Sequence, residues 1–142
     1  MKVILAVFVL GISSLSYAEL LKDKVAAKNL AKSVMEQVAS GNIEEGIKLT
    51  KPYLIIPAHE FEGMLTSMRM QAPAIEQRFG KTIGAELIKT EESGESLLRV
   101  MYIQKFEKHM MRWNFFFYKP KDGWVLNTFR TDDKIQLMFD SH

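Results

Sequence analysis

Few side chains in this sequence could exchange protons near neutral pH. The three histidines are His59, His109 and His142. His59 follows a proline at the start of an apolar helical pattern, and His109 begins an aromatic-rich strand pattern. Either imidazole could act as a general base, whereas His142 is the last residue. Because the histidines are widely spaced and cysteine is absent, the sequence predicts no metal site and no cofactor.

A second group of side chains could bind a ligand. Tyr102, Trp113 and Trp124 lie in segments with strand-like alternation, on the parity that carries most of the apolar residues. Counting in twos from Trp124 puts Thr128 and Arg130 on the same side. Aromatic walls with a few polar groups are typical of small-molecule sites, and a core-facing arginine needs a partner or an anionic ligand. These five residues are our predicted ligand site; the alternative is a closed core that the aromatics simply fill.

Methionine is frequent, with nine residues, and two segments resemble soft-ligand clusters for copper(I). The segments are 68–70, Met-Arg-Met, and 109–111, His-Met-Met. However, helical spacing separates Met68 from Met70, and strand alternation separates Met110 from Met111. We therefore interpret these methionines as core fillers.

The elements that must position these residues begin with helices. Apolar residues recur every three or four positions in 20–40 and again in 57–80, and a short helix fits 43–49. Pro73 falls inside the third pattern and is expected to kink or split that helix. The apolar phase continues across it, so both parts are expected to pack on one surface.

The second half of the chain changes to β-branched and aromatic residues separated by turns. Strands are predicted in four segments, 85–91, 97–106, 109–118 and 124–130, with a last short strand at 135–139. In the third strand, Trp113 and Phe117 share the apolar parity and should face the helices. The sequence thus predicts an α+β domain with N-terminal helices packed on a curved antiparallel meander.

Residues 1–18 have the pattern of a cleavable secretion signal. Lys2 precedes an unbroken apolar run that is too short for a bilayer, and Ser16 and Ala18 supply the small side chains of a cleavage site. Export to the periplasm is therefore predicted, with residues 19–142 as a single mature domain. Without cysteine, burial alone must hold this domain together.

The charge pattern excludes some partners. Loss of Lys2 with the signal would lower the formal net charge from +2 to +1, and no basic block occurs in the rest of the chain. We therefore expect no binding to nucleic acid and no membrane contact in the mature form.

The segment 113–130, WNFFFYKPKDGWVLNTFR, carries a family likeness. Its aromatic strand, glycine turn and Gly123-Trp124-x-Leu126 resemble a combination common in the nuclear transport factor 2-like superfamily, as does the order of helices before a meander. The resemblance implies a cone of helices cupped by a bent sheet. It also suggests a likeness to small periplasmic members without an assigned activity.

That superfamily includes isomerases, dehydratases, polyketide cyclases, transport adaptors and binding modules, so the fold does not give the function. Its steroid isomerases use an aspartate base with a tyrosine and a protonated acid, and no positions here match that set. The inward parity of the second strand offers no carboxylate; its residues are Leu98, Val100, Tyr102, Gln104 and Phe106.

The sequence therefore favours a non-catalytic exported module that binds a small apolar ligand or a partner protein, or that forms a homodimer through its sheet. One alternative is an isomerase- or dehydratase-type enzyme that uses Tyr102 and a histidine. Another is a structural partner in an envelope complex, through the sheet face that carries Arg112, Phe116 and Tyr118.

Overall fold

The computed structural model describes residues 18–139. The predicted secretion signal, apart from Ala18, lies outside the described residues, and so does His142. Within 18–139, no helix combines the length and the hydropathy needed to cross a membrane.

Three helices come first, as predicted: α1 (Lys24–Ala39), α2 (Ile43–Lys48) and α3 (Ala58–Phe79). Helix α1 begins where the Asp23 side chain accepts a hydrogen bond from the Ala26 N–H at 2.8 Å, which is a standard N-cap. Its apolar stripe is buried, and the buried residues are Ala27, Leu30, Ala31, Val34, Met35 and Val38.

Helix α3 remains one helix through Pro73, so the predicted split does not occur. A proline removes the hydrogen-bond donor of the carbonyl four residues earlier, here that of Arg69. Residues 69–74 are all exposed, so water can solvate that carbonyl. Only Phe61 and Leu65 near the start of α3 and Phe79 at its end are buried. The first half of the helix, as far as the half-buried Met68, packs against the core, and the helix is buried again at Phe79.

The strands are β1 (Thr82–Ser93), β2 (Leu97–Phe106), β3 (Met110–Tyr118) and β4 (Val125–Asp132). They form one antiparallel sheet in the order β1-β2-β3-β4, which confirms the predicted meander. The helices pack on one side of the sheet, here called the inner face; the opposite side is the outer face. The core lies between α1 and the inner face, and its sheet residues include Leu98, Val100, Tyr102, Trp113, Phe115, Phe117 and Leu126. The fold class is thus α+β, as predicted.

One irregularity in β4 decides where its side chains point. The register with β3 shifts so that Asn127 is an extra residue between Leu126 and Thr128, a β-bulge. Leu126 faces the core, but one inserted residue reverses the alternation beyond it. Thr128 and Arg130 therefore lie on the outer face. The prediction that they share the side of Trp124 is wrong for this reason.

The predicted last strand is also wrong, because Ile135–Met138 is a 3-10 helix. The chain turns at Asp132, whose carboxylate accepts a hydrogen bond from the Lys134 N–H at 3.0 Å. Beyond this turn the backbone bonds locally, with the Leu137 N–H donating to the Lys134 carbonyl at 3.1 Å. These local bonds take the place of a fifth strand pairing.

Candidate ligand-binding site

A cavity of about 500 Å³ lies between the middle of α3, the turn that leads into α2, and the inner face of the sheet. Beyond Met68, no residue of α3 packs against the core cluster, which leaves space between the helix and the sheet. Its apolar walls are formed by Leu65, Met68, Ile75, Phe106, Met111 and Trp113. Sites for small organic molecules have volumes of about 300–1,000 Å³ and similar walls. The cavity can therefore enclose a small ligand.

The floor of this cavity carries a buried chain of hydrogen bonds. Gln104 lies on the inward parity of β2 and is only 1% exposed. Its Oε1 accepts a hydrogen bond from Trp113 Nε1 at 3.1 Å, and its Nε2 donates to Thr82 Oγ1 at 2.9 Å. A buried amide is costly unless it is hydrogen-bonded, so these two bonds are what make a glutamine acceptable here.

An ion pair stands at the rim and joins α2 to α3. Arg69 donates from Nε to Glu44 Oε2 at 2.8 Å, and its Nη2 contacts the other carboxylate oxygen. The hydrogen bond from Arg69 is the main reason why the pKa of Glu44 is lowered to about 2, with a smaller contribution from Lys48. Both Glu44 and Arg69 line the cavity, so the pair borders its opening.

The C-terminal end of α3 is held by aromatic contacts. The Phe79 ring lies 5.4 Å from the Phe106 ring in an edge-to-face arrangement, and 4.5 Å from the His109 imidazole. His109 Nδ1 also accepts a hydrogen bond from the Met110 N–H at 2.7 Å. His109 thus takes part in packing and is not part of the cavity wall, and His59 is exposed in the first turn of α3.

The five residues predicted to form a ligand site do not come together. Trp113 lines the cavity, and Tyr102 is buried in the core beside it, where desolvation raises the pKa of its hydroxyl. Trp124 is buried at the opposite end of the sheet, where its backbone pairs with Leu21. Thr128 and Arg130 belong to an outer-face groove. Trp113 is therefore the member of this set that reaches the cavity.

The outer face carries charged and aromatic groups together. Arg112, which was predicted to be available there, is held by Asp132 through two hydrogen bonds of 2.9 and 2.6 Å. This pair lowers the pKa of Asp132 and leaves the Arg112 side chain only 12% exposed. Phe116 is half-buried and Tyr118 is exposed, and both line the outer-face groove.

The methionine segments do not form clusters. Met68 and Met111 line the cavity, but Met70 is 77% exposed and Met110 is buried. Among residues 18–139 there is no group of three or more histidine, cysteine, aspartate or glutamate side chains suited to hold a metal ion.

Sequence reasoning missed Gln104 and Thr82 as site residues. The available signal was Gln104 itself, a lone amide on an otherwise apolar parity, because such a residue needs partners inside the fold. No signal in the sequence pointed to Thr82, since its role depends on the pairing of β1 with β2.

No protein-family model, no curated protein and no solved structure matches this chain.

Proposed function

We propose that this protein is an exported, non-catalytic module that binds a small, mainly apolar molecule in the cavity beneath α3. The observation that carries the proposal is an apolar cavity of about 500 Å³ whose floor holds a buried, oriented amide. Apolar walls supply affinity through burial, and a single polar group fixes the orientation of a bound molecule.

The chemistry of the floor supports binding over catalysis. Its polar groups are the Gln104 amide, the Thr82 hydroxyl and the Trp113 indole, and none of these transfers a proton readily near neutral pH. Among residues 18–139, two carboxylates line the cavity: Glu44, which is engaged by Arg69, and Glu76, which is exposed. The enzyme alternative expected from the sequence uses Tyr102 with a histidine, and neither His59 nor His109 lines the cavity.

Export and family membership belong to the same proposal. The support for export is the pattern of residues 1–18. The support for a nuclear transport factor 2-like cone is the order of three helices before an antiparallel meander, together with the Gly123-Trp124-x-Leu126 likeness.

A blocking substitution tests the binding site. Ala72 and Ala74 are both exposed on α3, but only Ala72 lines the cavity. We expect Ala72→Trp to fill the cavity and to weaken the binding of the neutral probe N-phenylnaphthylamine by about tenfold or more. Ala74→Trp is the matched control and should bind the probe like the wild type. Isothermal titration calorimetry measures all three, after circular dichroism has shown equal helix content.

Equal affinities of the Ala72→Trp and Ala74→Trp variants would contradict this function. Binding of the probe to the wild type without a saturable site would contradict this function as well.

A second candidate, a homodimer through the outer face, is favoured by one observation. The cross-strand pair Leu97 and Tyr118 at the end of β2 and β3 is 50% and 42% exposed, which leaves apolar surface in contact with water. Burial of such a patch against a second copy would be favourable.

A further inference from the structure

The orientation of the Gln104 carboxamide is fixed by its neighbours. The indole N–H of Trp113 can only donate, so the Gln104 atom that faces it at 3.1 Å must be the oxygen. The amide nitrogen then faces Thr82 Oγ1 at 2.9 Å, and the threonine hydroxyl accepts. A reversed amide would place two donors against each other. The hydrogen bonds therefore run in one direction, from Trp113 to Gln104 to Thr82.

With the hydrogen bonds in this direction, two donor hydrogens of Gln104 and Thr82 remain unused. Gln104 Nε2 carries two hydrogens and uses one on Thr82, and the Thr82 hydroxyl still has its own proton to donate. Among residues 18–139, these two hydrogens have no further side-chain hydrogen bond. The oxygens also keep a free lone pair each, but incompletely used acceptor oxygens are somewhat more common in proteins than orphaned N–H groups. Both residues line the cavity, so the floor can donate two further hydrogen bonds to an acceptor placed there.

The charges around the cavity cancel. Its charged side chains are Glu44, Arg69, Glu76 and Lys81, two of each sign, and none is buried. The floor itself has no charge. An ion brought to the floor would lose its hydration without gaining a buried partner of opposite charge.

We infer that the cavity selects an uncharged, mainly apolar ligand that presents a hydrogen-bond acceptor oxygen, such as the carbonyl of a ketone or an ester, to Gln104 and Thr82. This inference rests on the proposed ligand-binding function and adds the chemical class of the ligand.

Three probes of equal chain length separate the charge states: methyl octyl ketone, decanoate and decylammonium. Calorimetric titration of the wild type should show the tightest binding for the ketone and the weakest for decylammonium, which offers only donors. Thr82→Val removes the hydroxyl donor at nearly constant volume, but it also frees the amide hydrogen that Gln104 gives to Thr82. Because the floor keeps amide donors, ketone binding should weaken by no more than about 3- to 10-fold, the range of one hydrogen bond. Thr82→Ser keeps the hydroxyl and should retain the wild-type affinity. Thr131→Val, which changes another hydroxyl on the cavity wall, is the matched control and should not alter ketone binding.

The outcomes distinguish a failure of the acceptor inference from a failure of the ligand-binding function. If decylammonium or decanoate binds as tightly as the ketone, or if Thr131→Val weakens ketone binding as much as Thr82→Val does, the acceptor inference is overturned and the ligand-binding function stands. If the wild type binds none of the three, and N-phenylnaphthylamine shows no saturable site either, the ligand-binding function falls as well.

Discussion

At the scale of single residues, the buried amide of Gln104 organises the cavity floor. It is the acceptor for the indole N–H of Trp113 and the donor to Thr82, so its removal leaves both neighbours without a partner. A residue whose side chain points inward from β2 would ordinarily be apolar. The presence of an amide at this position indicates that hydrogen bonding, and not packing alone, determines the residue there.

Replacement of this amide should therefore destabilise the fold. We expect Gln104→Met, which has a similar volume, to lower the free energy of unfolding by about 1–3 kcal/mol because the buried indole N–H loses its acceptor. The control Gln37→Met lies on the exposed side of α1 and should change the stability by no more than about 0.5 kcal/mol. Urea denaturation followed by tryptophan fluorescence measures both. A Gln104→Met variant as stable as the wild type would show that this chain of bonds does not hold the floor.

Residue-level predictions from the sequence succeeded where strand alternation is regular. Trp113 lies on a strand without irregularity in its pairing to β2, and parity placed it correctly on the inner face. Arg130 was misplaced because the bulge at Asn127 reverses the alternation. A bulge is set by how two strands pair, and local composition gives no sign of this one.

At the scale of elements, the cavity depends on how α3 is held. The helix packs on the core through Phe61 and Leu65, is buried again at Phe79 against Phe106, and is joined to α2 through the Arg69–Glu44 pair. The apolar pattern of 57–80 suggested contact along the whole helix. The structure packs only the first half of the helix on the core, and Met68 and Ile75 line a cavity.

The end of α3 is sensitive to backbone geometry at Gly80. This residue has φ 85°, and an added Cβ would approach the Glu107 Cβ to 2.8 Å. We expect Gly80→Ala to lower the free energy of unfolding by about 1–2 kcal/mol. Gly63 lies in α3, and an added Cβ there would have no neighbouring atom within 4 Å. Gly63→Ala should therefore raise the free energy of unfolding by about 0.5–1 kcal/mol. Chemical denaturation that gives the same sign for both changes would contradict this account of the helix terminus.

The Arg69–Glu44 pair predicts a pH dependence. The pKa of Glu44 falls from 4.5 for the free side chain to about 2 in the fold. A lowered carboxyl pKa stabilises the folded state above about pH 4.5, and this stabilisation is lost as the pH falls towards about 2. The thermal midpoint of Arg69→Met should therefore lie below that of the wild type at about pH 6, and the difference should shrink as the pH approaches 2. Calorimetric scans across this range measure it.

A control for this effect is Lys32→Met, which breaks a looser exposed pair with Glu36 at 4.0 Å. The thermal midpoint of Lys32→Met should stay close to that of the wild type at every pH. The role given to Arg69 would be contradicted if the difference in thermal midpoint between Arg69→Met and the wild type were constant with pH, or if it increased in acid.

At the scale of the whole molecule, the class and order of elements could be predicted because each signal is local. Helical periodicity, turn residues and β-branched runs report on neighbouring positions, and α1, α2 and the four strands follow them closely. The 3-10 helix at Ile135–Met138 and the cavity could not be predicted. Both depend on tertiary contacts: the 3-10 helix follows a turn held by Asp132, and the cavity forms where α3 no longer packs on the core beyond Met68.

The most direct test of the central claim is native mass spectrometry of the protein purified from its own cells. We predict that the wild type and Ala74→Trp carry a small-molecule adduct that is lost on denaturation, and that Ala72→Trp lacks it. A species of twice the chain mass without an adduct would favour the homodimer instead. The bare polypeptide mass in all three proteins, or an equal adduct in Ala72→Trp, would contradict a ligand site beneath α3.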